Sequence, residues 1–331
     1  MEEHIERNKR VLEQWERFHR QEPVDESAVR PLILRSWKRC RLQGVRPDNA
    51  SKVSLSPAAL EKLLDRNADL VAVAKSIMEK LYNPISTSRS FISLSDAQGI
   101  VLHALWDNTG SYPIPHLAPG NLAAESASGT NAIGTCLVEH TPVETLASEH
   151  YCRSFHGWFC SAAPIRDSRN AIVGVLNVTL PSALYHHHTR GMMEAAAHAI
   201  AEQLRLRLLL QEQKAIIEML DEGVVVLEGD GTIRTLNNKA QAMLDLPPDA
   251  VHGNIQDIIF SATSSGDPLG KWPIQRSGSV PPRAVRSTAS FAHPLGIGER
   301  PGADPARGQR IKEPPCASPG QGRLYFRSHC R

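Results

Sequence analysis

Through the first eighty residues, apolar positions recur at helical spacing. Val11, Trp15 and Phe18 fall along one side of a polar stretch, and Leu32, Ile33 and Trp37 follow. Leu60, Leu63, Leu64, Ala68, Val71 and Ala74 then return near every 3.6 residues. The pattern predicts a helical segment over 1–80, broken by the linker RPDNASKVSLSP, in which Ser56 before Pro57 suits a helix start. After Tyr82 the period shortens. FISLSDAQGIVLHAL, APIRDSRNAIVGVLNV and VVVLEGDGTIRTLN each set a polar or glycine turn between short β-branched runs, the pattern of antiparallel hairpins. Between the first two lies SASGTNAIGTCLVEHTPV, where Ser128, Thr130 and Asn131 precede the helix-spaced Ile133, Leu137 and Val138. Helices mixed with hairpins predict an α+β domain with one antiparallel sheet over 81–188. A Pro-free run with Met193, Ile200, Leu204, Leu208 and Ile216 on one side predicts a single long helix over 189–220. Strands at Gly223–Leu227 and Ile233–Leu236 and a helix at Asn238–Leu246 begin a second, smaller domain over 221–260.

Composition changes this picture at one end. Residues 261–331 contain 10 Pro and 9 Gly, which break any periodicity, and 11 Lys/Arg against 4 Asp/Glu. The whole chain carries only +2, so the first 260 residues are mildly acidic. The tail reads as a disordered basic segment, too poor in apolar residues to offset ordering entropy, and its abrupt bias suggests a shifted reading frame. No apolar run reaches the roughly 18–20 residues of a membrane span, and MEEHIERNKR lacks a signal-peptide core. A cytoplasmic protein with no membrane partner is expected. Six cysteines at irregular spacing, with no CxxC pair, read as free thiols. GDPLGKW has the Gly-Lys of a P-loop at the wrong spacing, with Trp272 where Ser or Thr belongs, and no recognition helix stands out. ATP hydrolysis and direct nucleic-acid binding are not expected of these residues.

GTNAIGT, EHYCRSFHGWFCSAAPI and the hairpin after them resemble the GAF domain of sigma-54-dependent regulators of the acetoin/glycerol-metabolism type. RPLILRSWKRCRLQGVRPD resembles that family's N-terminal helical segment, and AIIEMLDEGVVVLEGDGTIRTLNNKAQAMLDL the start of its PAS domain. The likeness covers about residues 28–260. It implies a sensory region in which GAF binds a small inducer, acetoin-like or polyol-like, and signals through the 189–220 helix to a partial PAS domain. The family's AAA+ ATPase and Fis-type helix-turn-helix have no counterpart here, which reads as a truncated regulator. The long helix, roughly 45 Å at 1.5 Å per residue, offers an apolar stripe for a homodimer, or for a mixed dimer with an intact relative.

A pocket for a small polar metabolite needs an apolar lining and a few directed polar groups. Trp106, Tyr151, Trp158 and Phe159 are the candidate lining, with Asn131, Thr135, His150 and Cys160 as hydrogen-bonding candidates. Each has a plainer role available, as core filling, helix cap or buried thiol. His150, Cys152, His156 and Cys160 have ligand chemistry for zinc or iron but fit no established spacing, so no metal and no cofactor are assigned. Two alternatives remain open: a stand-alone GAF module that binds a protein, and a cysteine-based redox or metal sensor or methionine-sulfoxide-reductase-like enzyme using Cys152 and Cys160. No catalytic residue is assigned.

Overall fold

Pro31 occupies the first turn of a helix because its missing N–H would have no partner there, and the helix it opens is the most deeply packed of the N-terminal segment. This helix, α2 (Pro31–Leu42), buries Ile33, Leu34, Trp37 and Cys40. It follows α1 (Glu2–His19), whose Val11, Trp15 and Phe18 join the same core. Next come α3 (Pro57–Arg66), capped by Ser56 Oγ accepting from the Ala59 amide at 3.3 Å, and α4 (Ala68–Tyr82). The structure, a computed structural model, describes residues 2–48, 50–106, 114–244, 246, 251–255, 274–276 and 322–326. It divides into two units, 1–208 and 209–331.

In the first unit, β1 (Phe91–Asp96), β2 (Val101–Leu105), β3 (Val143–Leu146), β4 (Trp158–Arg166) and β5 (Ile172–Pro181) form an antiparallel sheet in the order β2-β1-β5-β4-β3. Period-two alternation divides its residues between two cores. Ile92, Leu94, Phe159, Ala163, Ile165, Leu176 and Val178 face α4 and the start of α7 (Thr189–Glu218), packing on Ala74, Met78, Met193 and Ile200. The other face carries Phe91, Cys160, Ala162 and Val175 and is covered by α6 (Ala132–Glu139) and, beyond it, by α1 and α2. A short α5 (Glu125–Ser128) lies against α6 so closely that a Cβ on Gly134 would sit 2.6 Å from the Glu125 nitrogen. Mixed helices and one antiparallel sheet make an α+β fold, with the predicted hairpins observed at 91–105, 158–181 and 223–236.

The second unit has β6 (Gly223–Leu227), β7 (Ile233–Leu236), α8 (Asn238–Leu244), β8 (Ile274–Arg276) and β9 (Gly322–Phe326), with sheet order β7-β6-β9-β8. Asn237, fully buried, ties it together. Its Oδ1 accepts from the Val224 and Ala240 amides, both at 2.8 Å, and its Nδ2 donates to the Ile217 and Glu222 carbonyls. Of the 261–331 stretch that composition reads as disordered, the described residues are the two strands β8 and β9. They are held by backbone pairing that needs no apolar periodicity. The rest of that stretch lies outside the described residues.

Candidate functional site

A cavity lies between the cavity-side face of the sheet and α6. Its volume is about 30 Å³ on a scale where one water needs roughly 10–15 Å³, so it suits a molecule of a few heavy atoms. The walls are the start of α6, the loop before β4, the segment around Ile114 to Leu117, and inward-facing residues of β4 and β5. Among the described residues, no Asp, Glu, Lys or Arg belongs to this lining.

Of the eight candidate residues, Asn131, His150, Trp158 and Cys160 line this cavity. Trp158 and Cys160 face it because they alternate on β4, and the same alternation sends Phe159 through the sheet, where its ring meets Tyr185 edge-on at 4.8 Å. Tyr151 points outward from the cavity to α1, edge-on to His19 at 4.7 Å, while its carbonyl accepts from Trp15 Nε1 at 3.0 Å. Thr135 sits on the outer side of α6, 3.2 Å from Ser36 Oγ of α2. Trp106, at the end of β2, stacks on Phe91 with ring centroids 6.3 Å apart. These four belong to packing around the cavity and are not among its lining residues.

Asn131 has no polar atom to spare, because it caps α6. Its Oδ1 accepts from the Gly134 amide at 2.9 Å and its Nδ2 donates to the Ala123 and Gly129 carbonyls. The polar floor is instead a row that runs across four strands. Asn177 Nδ2 donates to Ser93 Oγ at 3.2 Å and to Thr179 Oγ1 at 3.1 Å. Thr179 Oγ1 lies 3.3 Å from Cys160 Sγ, which Thr145 reaches from the other side. Thr145 Oγ1 lies 2.9 Å from His150 Nε2, and His150 Nδ1 lies 3.0 Å from the Ala147 carbonyl.

A carbonyl only accepts, so His150 Nδ1 carries the proton and Thr145 donates to Nε2. Burial pushes the His150 pKa down to about 4, which leaves the ring neutral near pH 7. His116, in the same wall, is also lowered by burial and by Lys52. Burial raises the Cys160 thiol to about 11 and Cys152 to about 12, the opposite of nucleophile activation. Cys152 is also turned away, toward the Arg46 and Ser128 carbonyls. Among the described residues no group of three His, Cys, Asp or Glu is placed to hold a metal ion.

Sequence reasoning passed over Ile114, His116, Leu117, Ala123, Ser128, Ala132, Ile133, Phe155 and Asn177 as lining residues. Asn177 left a readable signal. In VGVLNVTL the residues Val175, Asn177 and Thr179 alternate with Leu176, Val178 and Leu180, so an amide and a hydroxyl share one face of a strand whose other face is hydrocarbon.

Around the cavity, buried carboxylates fasten the N-terminal helices. Glu125 takes Arg39 Nε and Nη2, both at 2.8 Å, and Ser36 Oγ at 2.6 Å. Glu149 takes Arg7 at 3.3 Å, Arg30, and the Leu146 amide at 2.9 Å. Glu149 immediately precedes His150, and Ser36 reaches Thr130, next to Asn131, at 2.7 Å.

Comparison with known proteins matches residues 9–186 to the family model "MimR, N-terminal domain". The acetoin dehydrogenase operon transcriptional activator AcoR of Bacillus subtilis is 34% identical over 197 residues, 58% of this chain and 32% of that protein. The propane 2-monooxygenase operon transcriptional activator MimR of Mycolicibacterium goodii is 26% identical over 68% of this chain and 39% of its own length. The chain thus spans about a third of the length of such curated relatives. Among solved structures, the fold matches that in the Escherichia coli DhaR(N)–DhaL complex, with a TM-score of 0.54 and 21% identity over 72% of this chain and 88% of that one. No helix among the described residues is long and apolar enough to cross a membrane. With more than half of its residues matched by the family model, the chain belongs to the MimR N-terminal domain family, the sensory region of sigma-54-type transcriptional regulators.

Proposed function

We propose that this chain is a metabolite-sensing region and not an enzyme: its first unit is a GAF domain that takes a small neutral molecule into the cavity over the sheet, and its second unit is part of a PAS domain. The observation that carries this reading is the cavity over the sheet, which has no Asp, Glu, Lys or Arg among its described lining residues, a neutral His150, and a buried polar floor. Such a site suits an uncharged molecule of a few heavy atoms, in the acetoin or small-polyol range. Binding shifts a pre-existing equilibrium, by no more than the ligand's differential affinity for the two states. Glu125 and Glu149 offer the route outward, because each joins a cavity wall to the arginines of α1, α2 or the turn before α2.

Dimerisation through α7 belongs to the same reading. It is supported by the exposure of Leu206, Leu208, Leu209, Leu210 and Ile216 along that helix.

The test is a thermal-shift screen of the chain against acetoin, diacetyl, butanediols, glycerol and dihydroxyacetone, with molar mass followed by light scattering. A ligand at a hundred times its dissociation constant is expected to add about 2.7 kcal/mol. A flat panel removes the metabolite reading. It would favour a second one, a protein-binding module, which is supported by the likeness in fold to a domain solved in complex with DhaL.

A further inference from the structure

One atom of the polar floor is left over. Asn177 is 1% exposed, lines the cavity, and spends both hydrogens of its Nδ2 on Ser93 and Thr179, while its Oδ1 has no partner among the described residues. Buried acceptors without partners are uncommon, and each one calls for a reason. The rest of the row fixes its own polarity. His150 must donate to the Ala147 carbonyl, so Thr145 donates to His150. Thr145 then accepts from the Cys160 thiol, and Cys160 from the Thr179 hydroxyl, whose lone pairs receive Asn177 Nδ2. All these bonds point from Asn177 toward His150, and none returns a proton to Asn177 Oδ1. The residue that carries this acceptor belongs to the wall of a space with room for a few heavy atoms, and among the described residues of that wall no Asp or Glu is present to pair with an ammonium.

We propose that Asn177 is the specificity-determining residue of the cavity: its Oδ1 accepts a hydrogen bond from a hydroxyl of the bound molecule. The site thereby selects neutral alcohols and hydroxyketones over analogues of the same shape that have only carbonyl oxygens. The inference rests on the metabolite-sensing reading and adds to it the polarity of recognition. A carbonyl-only analogue brings a second acceptor against Oδ1 and leaves both unpaired, which costs roughly tenfold to a hundredfold in affinity.

The experiment measures dissociation constants on the full chain for two matched pairs, butan-2-ol against butanone and acetoin against diacetyl. Asn177→Leu is compared with the unsubstituted protein, and far-UV circular dichroism monitors the fold. The expected result is preference for the hydroxyl member of each pair, reduced to less than about threefold by Asn177→Leu. If Asn177→Leu does not fold, Asn177→Thr takes its place, a residue that suits a strand but is too short to reproduce Oδ1. Equal affinity within the pairs overturns the proposal, and so does preference for the ketone, which would mean that the amide NH₂ faces the cavity. Hydroxyl preference that persists in both Asn177 variants also overturns it, by assigning recognition to another group. If none of the four compounds binds, the metabolite reading falls first and this inference with it.

Discussion

At the scale of single residues, two positions around the cavity are held by sterics and charge with little tolerance. Gly129 has φ +66°, and a Cβ there would lie 2.7 Å from Tyr151 Cβ. Both backbone and neighbour therefore resist a side chain. Gly129→Ala is expected to lower stability by more than the roughly 1 kcal/mol of an ordinary unfavourable φ, as read by urea denaturation. Glu149 is a carboxylate with 4% of its side chain exposed, set between Arg7 and Arg30. Glu149→Ala strands the half-buried Arg30 and the Leu146 amide, and is expected to cost roughly 3–5 kcal/mol, with Glu149→Gln costing less because it still accepts hydrogen bonds. Equal effects of the two substitutions in denaturant melts would show that the charge is not what holds the helix there. Cys160, in contrast, acts as a weak hydrogen-bonding link in the row. Cys160→Ser is compatible with that link, whereas a redox or reductase role would not survive it.

At the scale of elements, α6 is fixed by Asn131, which satisfies one helix-end amide and two loop carbonyls at once. Asn131→Ala is expected to cost about 2 kcal/mol, at the upper end for a cap, and to speed amide exchange in the first turn of α6 before that of β4 or β5. Uniform loss of protection across the sheet would argue that the cap supports more than its helix.

Most of these elements were readable in the sequence. β1–β2, β4–β5 and β6–β7 announce themselves by Gly, Asp or Asn between β-branched runs, and α7 by thirty residues without proline. The cavity was only half readable. Asn131, His150, Trp158 and Cys160 were legible as polar or aromatic residues in one loop-and-strand block. Tyr151, Thr135 and Trp106 have the same chemistry, but their direction depends on where α1, α2 and β1 pack, which no local pattern encodes. The directions of Phe159 and Asn177 are legible from strand alternation alone, because each lies on a face that its neighbours in β4 or β5 define.

At the scale of the whole molecule, the histidines set the response to acid. His19, His150 and His156 are each held at about 4, below their ordinary value, first of all by burial. Charging neighbours add to it, Arg41 at His19 and Arg153 at His156. A lowered histidine binds its proton less readily when folded than when unfolded, so stability is complete above about pH 6.5 and declines as pH falls toward 4. Denaturation midpoints measured at pH 7.5, 6.0 and 5.0 are expected to drop in that order, and His156→Gln to flatten the slope. An unchanged midpoint between pH 7.5 and 5.0 would mean that these rings are protonated in the native state without penalty.

The two unlike faces of the first sheet also bear on how the chain finds its register. Were β5 to slide by one residue against β1 and β4, Asn177 and Thr179 would enter the hydrocarbon layer formed with α4 and α7, and Leu176 and Val178 would displace the hydrogen-bonded row. Each misalignment is thus penalised twice, once by stranded amides and hydroxyls and once by aliphatic groups facing polar ones. The row that floors the cavity also serves as a vernier for the sheet, so a variant that made it wholly aliphatic would gain greasiness and lose its single alignment.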